Sequence, residues 1–232
     1  MLFGIIVFPG TWSDTDCFYA IQDVLGFRAE YVWHEETDLS RFDCLILPGG
    51  FSYGDYLRTG SIAKLSPIIA SLDSYINSGK LVIGICNGFQ ILCECGFLPG
   101  VLLKNDCLEY RCVQTNLKVA SNDHAFSNLY NIDEILDIPI SHGEGNYYAD
   151  QETISNLEAN NQIAFRYSSP GGDTSAEYNP NGSINNIAGI LNASKNVLGM
   201  MPHPERCCES ILGSEDGALI FKSISKWINK NI

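Results

Sequence analysis

The chain opens on a compact apolar run, Phe3-Gly4-Ile5-Ile6-Val7-Phe8, that stops at Pro9-Gly10. A run of this length bounded by turn residues predicts a strand. Ser13 or Asp14 can then cap a helix in which Ala20, Ile21, Val24 and Leu25 recur at helical spacing before Gly26. "AEYVW" (29–33) and "CLILPGG" (44–50) predict two further strands, residues 62–78 a helix, and "KLVIGI" (80–85) a strand buried on both faces. Strands that alternate with helices pair in parallel through right-handed crossovers, and such sheets bind ligands beyond the carboxyl ends of their strands. Gly49-Gly50 and Cys86 both fall at that edge.

Beyond Pro99-Gly100 the rhythm changes. "YRCVQTNLKV" and "ILDIPISHGEGNYY" predict strands with no helix between them, followed by "QIAFRYS", "IAGILN" and "VLGMMP". Residues 168–187, rich in Gly, Ser, Asn and Pro, predict a long surface loop. The last element, about residues 214–228, is an amphipathic helix that turns Leu219, Ile220, Ile224 and Trp227 inward. The expected fold is α/β: a doubly wound, mostly parallel sheet with flanking helices and a strand-rich C-terminal half. Neither a repeat nor a linker interrupts the pattern, so one domain over residues 1–232 is expected.

Composition narrows the class. A hydrophobic content of 45% with 18% charged residues is that of a folded globular protein. The net charge of −13, from 27 acidic against 14 basic residues, repels nucleic acid and anionic lipid. The apolar N-terminus lacks a basic leader, and no apolar run reaches the ~20 residues that span a bilayer, so a soluble cytoplasmic protein is expected. Nine cysteines, an odd number without a secretory signal, argue for reduced thiols.

One of those thiols stands apart. Gly84-Ile85-Cys86-Asn87-Gly88 has the form of a nucleophile elbow with cysteine in the nucleophile's place. Small flanking residues let a strand turn sharply into a helix, and the helix dipole favours a thiolate while the Asn87 N–H points into the same space. By the motif alone Cys86 is either such a nucleophile or a buried thiol at a strand end.

A catalytic thiolate needs a base that also serves as an acid, which turns attention to His34, His124, His142 and His203. His203 lies in "GMMPHPER", where Pro202 and Pro204 disfavour helix and predict an extended backbone. In an extended chain Glu205 projects to the same side as His203, where its carboxylate can fix the imidazole tautomer. Joined to the elbow, this is a Cys-His-Glu triad. His34, beside four acids in "VWHEETDL", reads as a solvated strand-to-loop edge. Cys93, Cys95, Cys207 and Cys208 lack zinc-ligand spacing and read as structural thiols, and no metal is implied.

The segments "PGGFSYGDYLRTG", "GICNGFQIL", "HGEGNYY" and "MMPHPER" resemble those of the class I, triad-type glutamine amidotransferases. "GGFSYGDYLR" and "HGEGN" resemble the branch that supplies glutaminase subunits to the formylglycinamidine ribonucleotide synthase of purine biosynthesis. The resemblance runs from "GIIVFPG" to the terminal helix and implies a flavodoxin-like domain that hydrolyses glutamine through a cysteinyl thioester. By it Cys86 is the nucleophile, His203 the acid and base, and Glu205 its orienting group. It makes Gly50 and Asn87 the backbone oxyanion donors and places Gln90, His142 and Gly143 at the glutamine pocket. Spacing alone leaves Gln90 open between a ligand contact and a helix-surface amide.

The chain has no G-x-x-x-x-G-K-[ST] loop, since Gly79-Lys80 lacks the preceding glycine, so activation by ATP is expected on another polypeptide. The resemblance implies no cofactor in this chain, ATP and Mg in a large synthetase partner, and a small third subunit. Two alternatives remain at this level. A γ-glutamyl hydrolase or cysteine peptidase on the same fold is disfavoured because Asn87 stands where the peptidase-like group has histidine. A non-catalytic binding module would predict a damaged triad, yet all three residues are present.

Overall fold

The computed structural model describes residues 1–230. Strand β1 (Leu2–Val7) buries Phe3, Ile5 and Ile6 completely, and helix α1 (Asp14–Phe18) follows. Its expected continuation to Leu25 is a π-helical stretch, Tyr19–Val24, so this helix changes pitch halfway. Strands β2 (Arg28–Trp33) and β3 (Cys44–Leu47) match the predicted runs. Helix α2 (Pro67–Asn77) starts later than expected. Pro67 has no N–H to join a preceding turn, and residues 63–65 form their own 3-10 turn.

Strand β4 (Leu81–Ile85) leads into helix α3 (Asn87–Glu94), and β5 (Val101–Leu103) follows. The strand-rich half contains β6 (Arg111–Val119), β7 (Ile135–His142) and β8 (Asn146–Tyr148), and next comes helix α4 (Gln151–Ala159). Strands β9 (Ile163–Ser168), β10 (Ile187–Leu191) and β11 (Val197–Met200) precede the terminal helix α5 (Ala218–Lys230). Helix α4 and strand β5 are additions to the sequence reading. Asp150 caps α4 by accepting the Thr153 N–H at 2.8 Å. The short β5 is held by antiparallel pairing with β8, a partner more than forty residues away. Helix α5 begins four residues later than expected, with Ile220 and Ile224 buried and Leu219 and Trp227 packed at the edge of the core.

Nine strands form one sheet in the order β2-β1-β3-β4-β11-β10-β9-β6-β7. Pairing is parallel from β2 to β11 and antiparallel from there to β7. The site depends on the adjacency of β3, β4 and β11, which pair through Leu47↔Gly84 and Met200↔Ile85. Their parallel direction brings three carboxyl ends together, so Gly49-Gly50, Cys86 and His203 emerge side by side although they are spread over more than 150 positions. Among the described residues no helix is long and apolar enough to cross a membrane.

Candidate active site

Cys86 occupies a backbone conformation that an L-residue adopts only under constraint, φ 52° and ψ −106°, at the junction of β4 and α3. The neighbouring glycines impose it by close approach. A Cβ on Gly88 would lie 1.9 Å from the Leu47 carbonyl oxygen, and one on Gly84 would lie 2.7 Å from the Gly88 backbone. The elbow is therefore wedged against the end of β3. The Cys86 N–H donates to Met200 O at 2.8 Å, and its thiol donates to Ser141 O at 3.5 Å.

His203 and Glu205 meet behind the sulfur. Their side chains are almost wholly buried, and His203 Nδ1 lies 2.6 Å from Glu205 Oε1. Burial pulls the imidazole pKa down, but the charges of Glu205 and Cys86 outweigh it and push the value up. His203 Nε2 is buried, has no partner within hydrogen-bonding geometry and lines the same cavity as Cys86. The backbone route differs from the expected extended dipeptide. His203 is semi-extended (φ −105°, ψ 87°), Pro204–Arg206 is a 3-10 turn, and that turn carries Glu205 back beneath the imidazole. Pro204 starts a helical turn readily because its fixed φ suits the first position.

The cavity, of about 310 Å³, is lined by Gly50, Gln90, His142 and Gly143 among the expected residues. Gly50 has φ +146°, and a Cβ there would lie 2.4 Å from Trp12 N, so only glycine fits. The preceding carbonyl, Gly49 O, accepts the N–H groups of both Trp12 and Ser13, at 3.1 and 3.0 Å. In a trans peptide N–H and C=O point in opposite directions, so this double grip aims the Gly50 N–H away from the 11–13 segment. Asn87 contributes a backbone N–H in the first turn of α3, where helix amides have no intrahelical acceptor. Its side chain accepts the Ser52 N–H at 3.1 Å and donates to Gln90 Oε1 at 2.9 Å.

Gln90 is not a helix-surface amide: it is buried, and its Nε2 donates to Glu144 O at 2.7 Å. His142 is equally buried. Its Nδ1 donates to Asn105 Oδ1 at 3.0 Å, and its Nε2 faces the Asn181 amide at 3.4 Å. Burial, reinforced by the charge of His203, lowers its pKa to about 4, so it is neutral with both nitrogens engaged. The 168–187 loop is thus more than a surface excursion. Asn181, fully buried within it, also donates to Gly145 O at 2.9 Å and to the Tyr167 hydroxyl at 3.2 Å, bracing the wall that carries Gly143 and Glu144.

Asp55, Glu144, Arg206 and Ser13 also line the cavity and were missed as chemistry-bearing residues. The first two lie inside the quoted segments "GGFSYGDYLR" and "HGEGN", so proximity to Gly50 and His142 was the available signal. Arg206 ties the site to α1, donating to Asp16 Oδ2 at 3.1 Å and Ser13 Oγ at 2.8 Å. His34 corrects an expectation: it is buried against Phe8 and Trp33, with Tyr53 Oη 3.2 Å from Nδ1, and is not a solvated edge. Burial raises the pKa of Cys93, Cys95, Cys207 and Cys208, and these thiols are inert packing groups.

A cysteine elbow, a buried His-Glu pair and a glycine turn on three parallel strand ends define an amidotransferase-type thiol site. Residues 3–228 match the family model of the CobB/CobQ-like glutamine amidotransferase domain, and the chain belongs to the glutamine amidotransferase family. Within it, the chain is 56% identical to the phosphoribosylformylglycinamidine synthase subunit PurQ of Moorella thermoacetica, over 98% of this chain and 96% of that protein. It is 50% identical to the PurQ subunit of Salinibacter ruber, over 96% and 94% of the two chains. Among solved structures it is similar to a chain of PurLQS from Thermotoga maritima, with a TM-score of 0.86, 39% identity and 98% coverage of both chains.

Proposed function

We propose that this chain is the glutaminase subunit of a phosphoribosylformylglycinamidine synthase. It hydrolyses glutamine to glutamate and ammonia and delivers the ammonia to a synthetase subunit that converts formylglycinamide ribonucleotide to formylglycinamidine ribonucleotide. The observation that carries the reading is that Cys86 and His203 line one cavity, with Glu205 hydrogen-bonded to the buried side of His203, together with the PurQ relatives over nearly the whole chain.

In the reaction Cys86 Sγ attacks the side-chain carboxamide carbon, and the oxygen that becomes anionic is met by the Gly50 and Asn87 N–H groups. The His203 imidazolium, held by Glu205, gives its proton to the departing nitrogen, and ammonia leaves. Neutral His203 then takes a proton from water, whose hydroxide attacks the thioester; collapse releases glutamate and restores the thiol. Gln90, His142 and Gly143 shape the glutamine pocket.

Ammonia released into bulk water is protonated and lost as a nucleophile, so a large synthetase subunit and a small third subunit are the expected partners. ATP and Mg belong to that synthetase, with no cofactor in this chain. The continuous nine-stranded sheet supports a single domain. The test mixes the chain with its synthetase and follows amidine formation from glutamine or from ammonia. Cys86→Ala should abolish synthesis from glutamine and spare synthesis from ammonia; glutamine-dependent synthesis by that variant would sink the assignment.

A further inference from the structure

The two oxyanion donors sit on separate elements. The Gly50 N–H belongs to the turn after β3 and the Asn87 N–H to the first turn of α3, with α2 and β4 between them in the chain, so contacts across the site must set their spacing. The Gly50 turn is held from one side by the 9–13 segment: Phe51 N–H donates to Gly10 O at 2.9 Å and Tyr53 N–H to Pro9 O at 2.6 Å. The amide between them, Ser52 N–H, instead reaches α3 and donates to Asn87 Oδ1 at 3.1 Å. Beyond it Tyr53, Asp55 and Leu57 are left-handed, with φ 54°, 54° and 70°, a strain that persists only where the surroundings hold it.

The Asn87 side chain is 1% exposed, and its neighbours admit one orientation of the carboxamide. Oδ1 has to accept from Ser52, and Nδ2 has to donate because Gln90 presents Oε1 at 2.9 Å; Gln90 is oriented in turn by giving Nε2 to Glu144 O at 2.7 Å. The second Nδ2 hydrogen faces Asp55 Oδ1, on the same loop as Ser52, at 3.4 Å. Aspartate would have no donor for Gln90, and an aliphatic residue no acceptor for Ser52. The elbow needs only the backbone of residue 87, yet both ends of this side chain are engaged in joining the loop to the helix. Arg58 ties the same loop to α3 a second time through Glu94 at 2.7 Å, but its side chain is 68% exposed and solvent screens that pair.

We propose that the Asn87 carboxamide is a positioning group that sets the spacing of the two oxyanion donors: the residue whose backbone supplies one donor clamps, through its side chain, the turn that supplies the other. This rests on the glutaminase reading and adds a residue-level basis for its transition-state stabilisation. The carboxamide itself does not touch the substrate; it acts through Ser52 on Gly50.

The test uses the complex with its synthetase subunits and follows ammonia release from glutamine. Asn87→Ala should lower kcat by about tenfold or more and change KM by less than about threefold, because displaced donors weaken binding of the anionic transition state more than that of the neutral amide. Arg58→Ala, which cuts the exposed tie, should leave kcat unchanged. Ser52→Pro approaches the clamp from its other side. It deletes the N–H at the opening of a 3-10 turn, where proline is accepted, and sets the ring against Asn87 Oδ1. It should cost about tenfold in kcat in the native background and less than about twofold in Asn87→Ala, since the two changes break one contact. Alkylation of Cys86 by iodoacetamide, which builds no oxyanion, should proceed at the native rate in every variant. Unchanged kcat in Asn87→Ala, additive losses in the double variant, or alkylation that falls in step with kcat would overturn the clamp and leave the glutaminase reading standing. A native complex that releases no ammonia from glutamine would overturn that reading and the clamp with it.

Discussion

Glu205 Oε1 lies 2.6 Å from His203 Nδ1 in a pocket that hides both side chains from solvent, and the opposite imidazole nitrogen is left without a partner. Glu205→Gln keeps the shape and removes the charge. The expected result is a fall in kcat of about a thousandfold with little change in KM, read from steady-state glutamine hydrolysis by the complex.

The same pair sets a pH signature. His203 has a folded-state pKa above its unfolded value, so its contribution to stability is full below about pH 6.5 and fades as pH rises through the raised value. Glu205→Gln should lose that alkaline decline. Thermal melts of both proteins from pH 6 to 10 would show it as a narrowing gap.

Gly50→Ala brings a Cβ against Trp12 N and forces the turn off its φ of +146°. Displacement of one oxyanion donor should lower kcat by about a hundredfold or more, equivalent to ~3 kcal/mol in the barrier. Cys86 should still react with an alkylating reagent, separating a lost donor from a lost nucleophile.

His124 and His142 are buried and neutral, each with its pKa lowered to about 4 chiefly by burial. The unfolded chain takes up these protons first, so their contribution is present above about pH 6.5 and disappears as pH falls toward 4. Each accounts for a loss on the order of 3 kcal/mol over that window. Urea denaturation should show a steep acid decline, and it should be shallower in His124→Gln.

Asn181→Ala removes the amide that joins the 168–187 loop to Gly145 and Tyr167. With buried groups left unpaired, stability should fall by about 3 kcal/mol, and the KM for glutamine should rise as the Gly143–Glu144 wall loosens. A chemical denaturation curve and a substrate titration check the two effects.

The parallel half of the sheet was most readable where a short apolar run is closed by Pro or Gly, as at Leu45-Ile46-Leu47 before Pro48. Helix α4 escaped although Asp150, Ile154 and Leu157 carried its cap and its face, because the run of strands around it masked a short periodic segment. Strand β5 was invisible for another reason: three residues have no periodicity, and its partner Asn146–Tyr148 is fixed by tertiary structure. At the site, Cys86, His203 and Glu205 announced themselves through glycine and proline neighbours. Asp55, Glu144 and Arg206 have similar glycine or proline neighbours but no spacing that links them to one another, and their shared outlook on one cavity comes from the fold.

The Gly49 carbonyl, gripped by two amides, has a kinetic consequence. Rotating that peptide would break both hydrogen bonds at once, so the Gly50 N–H stands ready before substrate arrives. A partner that accelerates such a site has no peptide flip to trigger. In the proposed complex, stimulation is then expected in substrate capture, the entry of glutamine past the exposed Trp12 and Phe51 that line the cavity, before it is expected in bond breaking.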